Sequence, residues 1–459
     1  MNEIEKILNE KLTENGDKSY KSTGNNLTDL LFMTPFFEKN LDQASIGTSE
    51  KEKLFSMFIR DPRFGLGRRD LGRRLMAQAQ VSPKYIVTAG RYDDLFHIPT
   101  NENIEYLRSQ ASQGNELAKK WLPALTGKDK KIAKALMKMW ELTPKQYRAL
   151  KKCESTTEYK LSYAVAEEGT PLNELFKKGT YQHPLVDNID FEQVPSLAMT
   201  KYLHTFSTRE DIAPRFNEYL EKVKEDKAKI NVSTANVMDA YKVANGDWTT
   251  QDVKEAQEIV ANKIVDNAVL DVELNAIVIL DTSGSMEWGS GNYKPIDKAN
   301  AIAYAIASKS TYAKDQIISF SSRPQLMQIK GETLKEKYRS MYTGDCSNTD
   351  FGKVMDLLQK LNKFPEYLVV LSDMEFDYGS NTSKEKTMKM FKERGAETKI
   401  IWWNLNERNK TVPEFDEYGN IYLSGYNLQI LRLLENKFDM TTYIDKILDK
   451  YKKDIEYNN

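Results

Sequence analysis

A run of five apolar residues, Ala276-Ile277-Val278-Ile279-Leu280, ends directly in Asp281-Thr282-Ser283-Gly284-Ser285, and this junction constrains the chain more than any other stretch. A continuous apolar run of that length predicts a strand buried on both faces, as in a parallel sheet. The Asp-x-Ser-x-Ser then falls just past the carboxyl end of the strand, where open α/β sheets bind ligands. One carboxylate and two hydroxyls on alternate residues of a tight loop can converge on a hard divalent cation. Three oxygen ligands leave room for waters and an open position. The competing reading is structural, with Asp281 capping the next helix and the serines solvating a turn.

Two further loops favour the cation. Ser347-Asn348-Thr349-Asp350-Phe351 opens an apolar-periodic helix carrying Val354, Leu357, Leu358 and Leu361, and a second buried strand, Tyr367-Leu368-Val369-Val370-Leu371, ends in Ser372-Asp373. Three such loops can face one crevice in a doubly wound sheet. The pattern resembles a von Willebrand factor A domain with its metal-ion-dependent adhesion site. That resemblance implies Mg²⁺, or another divalent cation, held directly by Ser283 and Ser285, directly or through water by Asp281 and Asp373, and by Thr349 in one of two states. Thr343-Gly344-Asp345 is a competing source of the threonine. The open position suits a carboxylate supplied by a partner protein. Asp373-Met374-Glu375 departs from the usual Asp-Gly and adds an acid near the site, with Asp350 and Asp377 expected behind it.

The same region lays out as alternating strands and helices. Strands are expected at Ala276–Leu280, Gln316–Phe320, Gln325–Ile329, Tyr367–Leu371 and Thr398–Trp403. Helices are expected near Ile296–Lys309, after Thr349, near Lys384–Arg394, and at Leu428–Leu434 and Tyr443–Tyr451. Such alternation demands right-handed crossovers and a mostly parallel sheet.

Upstream the pattern is helical. The first 22 residues read as a peripheral helix or arm, spaced by Ile4, Ile7, Leu8 and Leu12, with order beginning near Thr23. From there to about residue 260, segments of 10–18 residues break at Gly or Pro, which predicts stacked helical pairs without a strict sequence period. Residues 51–160 carry a net charge of about +11, although the 459-residue chain as a whole is at −1. Such asymmetry points to anionic partners. The densest piece holds Arg60, Arg63, Arg68, Arg69, Arg73 and Arg74 with Gly65, Gly67 and Gly72, a composition that permits forked contacts and close backbone approach to phosphate. A second cluster holds Lys119, Lys120, Lys128, Lys130, Lys131 and Lys134, followed by Lys138. In Arg91-Tyr92-Asp93-Asp94 the arginine reads as structural, paired to carboxylates at a helix start.

Other features bound the function by what they lack. Cys153 and Cys346 are far apart, and His97, His183 and His204 show no ligand spacing. Met1-Asn2-Glu3-Ile4-Glu5-Lys6 lacks the basic-then-apolar layout of a signal peptide, and no apolar run approaches a membrane span. A soluble cytoplasmic protein is expected.

Several stretches together resemble the class that joins a TROVE module to a von Willebrand A domain, the architecture of the Ro autoantigen, and a branch of it found in viruses, plants and fungi. They are Thr23-Gly24-Asn25-Asn26-Leu27-Thr28-Asp29-Leu30, the Arg60–Arg74 segment, Ala89-Gly90-Arg91-Tyr92-Asp93-Asp94-Leu95, Lys120-Trp121-Leu122-Pro123, Val194-Pro195-Ser196-Leu197-Ala198-Met199, Lys227-Ala228-Lys229-Ile230-Asn231, Leu371-Ser372-Asp373-Met374-Glu375-Phe376-Asp377 and Ile401-Trp402-Trp403-Asn404-Leu405. The resemblance implies a multidomain α + α/β protein. An N-terminal all-α, HEAT-like helical-repeat domain (23–265), ring-shaped, would precede a doubly wound parallel-sheet A domain (270–425) and C-terminal helices (426–459). It implies a non-enzymatic ribonucleoprotein scaffold that binds structured or single-stranded-ended RNA on a basic helical surface. The alternative is a metal-dependent protein-interaction or assembly module, of a kind a virus or phage could encode, with no RNA function. A metal-dependent nuclease or phosphatase fits less well, because the site is poor in carboxylates and has no neighbouring His or Lys base.

Overall fold

The structure is a computed structural model. It describes residues 8–62, 65–152, 189–194, 196–230, 237–246, 251–268, 274–289, 293–406, 411–413, 420–426, 446, 449–451 and 453. Arg63, Cys153, His183 and the helix expected at Leu428–Leu434 lie outside them. The architecture is α + α/β, as expected, but the chain does not divide at a single point. One compact unit is assembled from 1–45, 235–247 and 261–440, and the other from 46–234, 248–260 and 441–459.

The first unit is built on a six-stranded sheet. Its strands are β3 Ala276–Asp281, β4 Gln316–Phe320, β5 Gln325–Gln328, β6 Tyr367–Ser372, β7 Lys399–Asn404 and β8 Ile421–Ser424, in the order β5-β4-β3-β6-β7-β8. All neighbours run parallel except β4 and β5, which pair antiparallel as a hairpin. β3 and β6 are central and buried at every position, which is why their sequences read as unbroken apolar runs. Alternate residues point to opposite faces. Ile277, Ile279, Leu368, Val370, Ile400 and Trp402 form one core with Val354 and Met355 of the helix Phe351–Leu358 and with Met388 and Phe391 of the helix Ser380–Glu393. The helix Pro295–Ala307 packs along β3, as the crossover between β3 and β4.

Two parts of this unit differ from expectation. β8 has no counterpart in the sequence reading; its four buried residues, Ile-Tyr-Leu-Ser, are too short to stand out. Ile4 and Ile7 of the expected N-terminal helix lie outside the described residues, Leu8 and Asn9 are helical, and the chain turns to strand from Glu10. Residues Glu10–Leu12 (β1) and Lys18–Tyr20 (β2) form an antiparallel hairpin, Leu8 and Leu12 are exposed, and Tyr20 exchanges backbone hydrogen bonds with Val412 at 2.9 and 2.7 Å. The helix Asn26–Phe32 follows, capped by the Asn25 side chain. It joins the sheet core through Phe32, edge-to-face on Tyr422 at 5.4 Å, through Asn404 Nδ2 donating to the Phe32 carbonyl at 3.2 Å, and through Ser424 Oγ donating to the Leu31 carbonyl. Tyr241 likewise donates to Asp297 at 2.8 Å.

The second unit is helical wherever it is described. Its helices run from Glu50–Arg60 through Arg69–Gln78, Pro83–Ala89, Tyr92–His97, Asn101–Ser112, Glu116–Trp121, Lys130–Met139 and Pro144–Lys151 to Ser196–Thr208 and Ala213–Lys224. Short connections and side-chain caps punctuate them, with reciprocal capping boxes at Ser49–Glu52 and Thr143–Gln146.

Candidate metal centre and basic surface

Asp281 closes β3 and is fully buried. Its Oδ1 accepts the Ser283 amide at 2.9 Å and its Oδ2 accepts Ser372 Oγ at 2.5 Å. The turn this imposes brings Ser283 Oγ within 3.2 Å of Ser285 Oγ. Asp373 stands one residue past β6, the strand paired with β3, so the two carboxylates are brought to one edge. Its Oδ1 accepts the Glu375 amide at 3.4 Å and its Oδ2 accepts Asn406 Nδ2 at 3.3 Å. Burial, and then the neighbouring Asp373, push the Asp281 carboxyl up to about 7 against the pull of Ser372 and Ser283. Among the described residues no cationic side chain pairs with Asp281.

The third loop arrives through its backbone. The Gly284 amide donates to the Ser347 carbonyl at 3.3 Å, and the Asp350 amide donates to the Ser321 carbonyl at 3.1 Å. Thr349 is buried, and its carbonyl accepts the Asp377 amide at 3.0 Å. Thr343 is taken up locally, its hydroxyl accepting the Asp345 amide at 3.2 Å. Asp350 caps the helix Phe351–Leu358 and pairs with Lys353 at 2.9 Å. Glu375, expected near the site, is turned to the N-terminal hairpin: its carboxylate accepts the Glu14 amide at 2.7 Å and its carbonyl accepts Asn15 Nδ2 at 2.7 Å. Thr13 Oγ1 donates to the Phe376 carbonyl at 2.8 Å beside it. Met374 is buried with a φ of +66°.

The donor set suits a hard cation. Two carboxylates, one of them wholly desolvated beside the other, and a pair of adjoining hydroxyls are oxygen ligands that a divalent charge would relieve of repulsion. No group of three or more His, Cys, Asp or Glu side chains arranged for a metal occurs among the described residues, so hydroxyls would have to complete this one.

In the helical unit the arginine-glycine segment has a different role from the one expected. Arg60 is 3 % exposed and its Nη2 lies 2.8 Å from Asp94. Arg73 reaches Asp94 at 2.5 Å and Asp93 at 3.0 Å. The Arg91 amide also donates to Asp94, at 2.9 Å. The glycines serve the same packing. A Cβ on Gly72 would lie 2.7 Å from the Arg60 Cα, and one on Gly65 or Gly90 would strike the Phe58 carbonyl oxygen or the Asp94 carboxylate. The Arg60–Arg74 and Ala89–Leu95 motifs therefore fold onto each other. Arg60 and Arg73 are committed to buried carboxylates, which corrects their assignment to a phosphate-binding face. Arg68 and Arg74 are half-buried, and Arg69 is exposed. Lys119 pairs with Glu116 at 3.0 Å, and Lys120 lies over Trp121, on which Arg91 also stacks at 4.2 Å.

The lysines further on remain open. The helix Lys130–Met139 buries Ala133 and Leu136 and exposes Lys130, Lys131, Lys134 and Lys138. Lys128 precedes it, and Lys145 and Arg148 continue it on the next helix, all exposed. None of these seven forms an ion pair among the described residues. The two helices are fixed beneath by Trp140 stacked on Tyr147, whose hydroxyl donates to the Pro123 carbonyl at 3.0 Å.

Comparison with known proteins gives the following likenesses. Residues 275–456 match a family described as Domain of unknown function (DUF7788), and residues 70–268 match another, Domain of unknown function (DUF2828). The chain is similar to an uncharacterized protein, L728, of Acanthamoeba polyphaga mimivirus, 22 % identical over 530 residues, covering 97 % of this chain and 88 % of that one. Among solved structures it is similar to the Deinococcus radiodurans RO (RSR) protein, at 14 % identity and a TM-score of 0.42, covering 82 % and 86 % of the two chains. Among the described residues no helix is long and apolar enough to cross a membrane.

Proposed function

We propose that the protein is a non-enzymatic, cytoplasmic RNA-binding scaffold whose binding surface is the basic face of the helices Lys130–Met139 and Pro144–Lys151. The observation that carries this reading is the set of seven exposed cations without ion-pair partners among the described residues, six on two consecutive helices and Lys128 in the turn before them. Lys130, Lys134 and Lys138 recur every fourth residue, about 6 Å apart along the helix, a row suited to a phosphate backbone. No base-reading consensus accompanies them, so binding is expected to follow charge and shape. The Ro-like motifs of the sequence support the same reading. The test is binding of a structured RNA with an unpaired tail across a salt series. Replacing Lys130, Lys131, Lys134 and Lys138 by alanine should weaken binding and lower the slope of log K against log salt by about 0.7 for every single-strand phosphate that these lysines neutralise. An unchanged slope would refute this surface.

A second reading, a metal-dependent protein-interaction module, is favoured by the Asp281–Asp373 pair. Asp281, Ser283, Ser285, Thr349 and Asp373 would hold Mg²⁺, which when bound would offer an open position to a partner's carboxylate. Calorimetric titration with MgCl₂ should give a binding isotherm that Asp281→Asn abolishes. The absence of any isotherm in the unaltered protein would remove this reading.

A further inference from the structure

The first unit carries two exposed aromatic residues that neither reading employs. Trp288 is 75 % exposed and Tyr342 62 %, a poor use of large apolar surface unless something covers it. Tyr342 walls a narrow cleft whose other sides are Glu287, adjacent to Trp288 in the chain, Asn300, Asp345 and the apolar Ile296 and Met341. The polar groups here are rich in acceptors. Asn300 Oδ1 is buried and accepts no hydrogen bond among the described residues, and Thr282 Oγ1, also on the cleft, has given its proton to the Phe320 carbonyl at 3.1 Å. Glu287 and Asp345 add two carboxylates. The cleft has room for about one water-sized group, which is the size of an ammonium.

We propose that this cleft receives the ammonium of a lysine side chain on a partner polypeptide. Its aliphatic stem would lie along Ile296, Met341 and the Tyr342 ring, and Trp288 would cover the entrance. Lys294, itself exposed, already sets its ammonium 3.0 Å from Glu287, an exposed pair that solvent screens and an incoming lysine can displace. A nucleic acid is a poor occupant, since its phosphates would meet Glu287 and Asp345. The proposal does not depend on RNA binding, whose surface belongs to the other unit, nor on a metal.

The test uses the full chain labelled with 5-fluorotryptophan, in which the Trp288 signal among the six tryptophans is assigned from Trp288→Phe. Fluorine NMR follows titration with a Gly-Lys repeat peptide, the same peptide with norleucine for lysine, and an oligouridylate. The expected result is a saturable shift of the Trp288 signal with the lysine peptide alone, with affinity at least tenfold weaker in Glu287→Gln and in Tyr342→Ala. Tyr342 lies largely outside the core, and the other five signals report whether the fold is kept. No shift, an equal shift with the norleucine peptide or the oligouridylate, or an affinity indifferent to Glu287→Gln would each overturn the proposal and leave the cleft as a seat for water.

Discussion

Asp94, itself without solvent, collects hydrogen bonds from the buried Arg60 Nε and from the part-buried Arg73 Nε and Arg91 amide. Removing Arg60 leaves the buried Asp94 carboxylate with Arg73 as its one guanidinium partner, so Arg60→Ala should cost about 1.5–3 kcal/mol. Arg69→Ala, on the exposed side of the same motif, should change stability by about 0.5 kcal/mol or less. Urea unfolding of the two variants separates a structural arginine from a solvated one. At Met374 two effects oppose each other. Glycine would relieve roughly 1–2 kcal/mol of left-handed strain, but would discard a buried methionine worth about 2–5 kcal/mol. The second is larger, so Met374→Gly should lower the melting temperature. From sequence alone the arginines read as a patch for phosphate because composition shows their charge and not their partners. The clue was present in Asp93-Asp94, whose pairing needs two motifs some twenty residues apart to be considered together.

Elements were legible where one rule governed them. β3 and β6 are central, buried on both faces and flanked by helices, so an apolar run marks each within a residue. The amphipathic helix Lys130–Met139 separates its lysines from Ala133 and Leu136 just as the 3.6-residue period requires. The N-terminal hairpin was missed because its three-residue strands carry no alternation long enough to register, and Leu8 and Leu12 happen to keep helical spacing while facing solvent. Its order comes from hydrogen bonds to residues 360 or more positions away along the chain. Thr13→Ala removes the hydroxyl that donates to the Phe376 carbonyl and accepts the Asp17 amide. It should cost about 1–3 kcal/mol and raise hydrogen exchange selectively at residues 373–377. Uniformly unchanged exchange would show that the hairpin does not hold that loop. The candidate metal loops were legible in type and position, whereas the diversion of Glu375 to the hairpin was not, since no local pattern records a partner so remote.

For the whole molecule, the sequence suggests a cut near residue 270, with an α/β domain over 270–425 and C-terminal helices over 426–459 packed on the core. The sheet-bearing unit instead recruits residues 1–45 and 235–247. A fragment beginning at residue 270 would leave Tyr422 without Phe32, Asn404 without its carbonyl acceptor and Asp297 without Tyr241. Such a fragment should lose near-ultraviolet circular dichroism and expose apolar surface to dye, whereas the intact chain should not. The Leu31–Ser424 hydrogen bond joins residues 393 positions apart, and that separation is also an interval of time. At synthesis rates of roughly 5–20 residues per second, the apolar face of Leu30, Leu31 and Phe32 leaves the ribosome roughly 20–80 s before the strand that covers it. Throughout that interval the emerging chain carries Leu30, Leu31 and Phe32 without the strand that covers them in the folded protein.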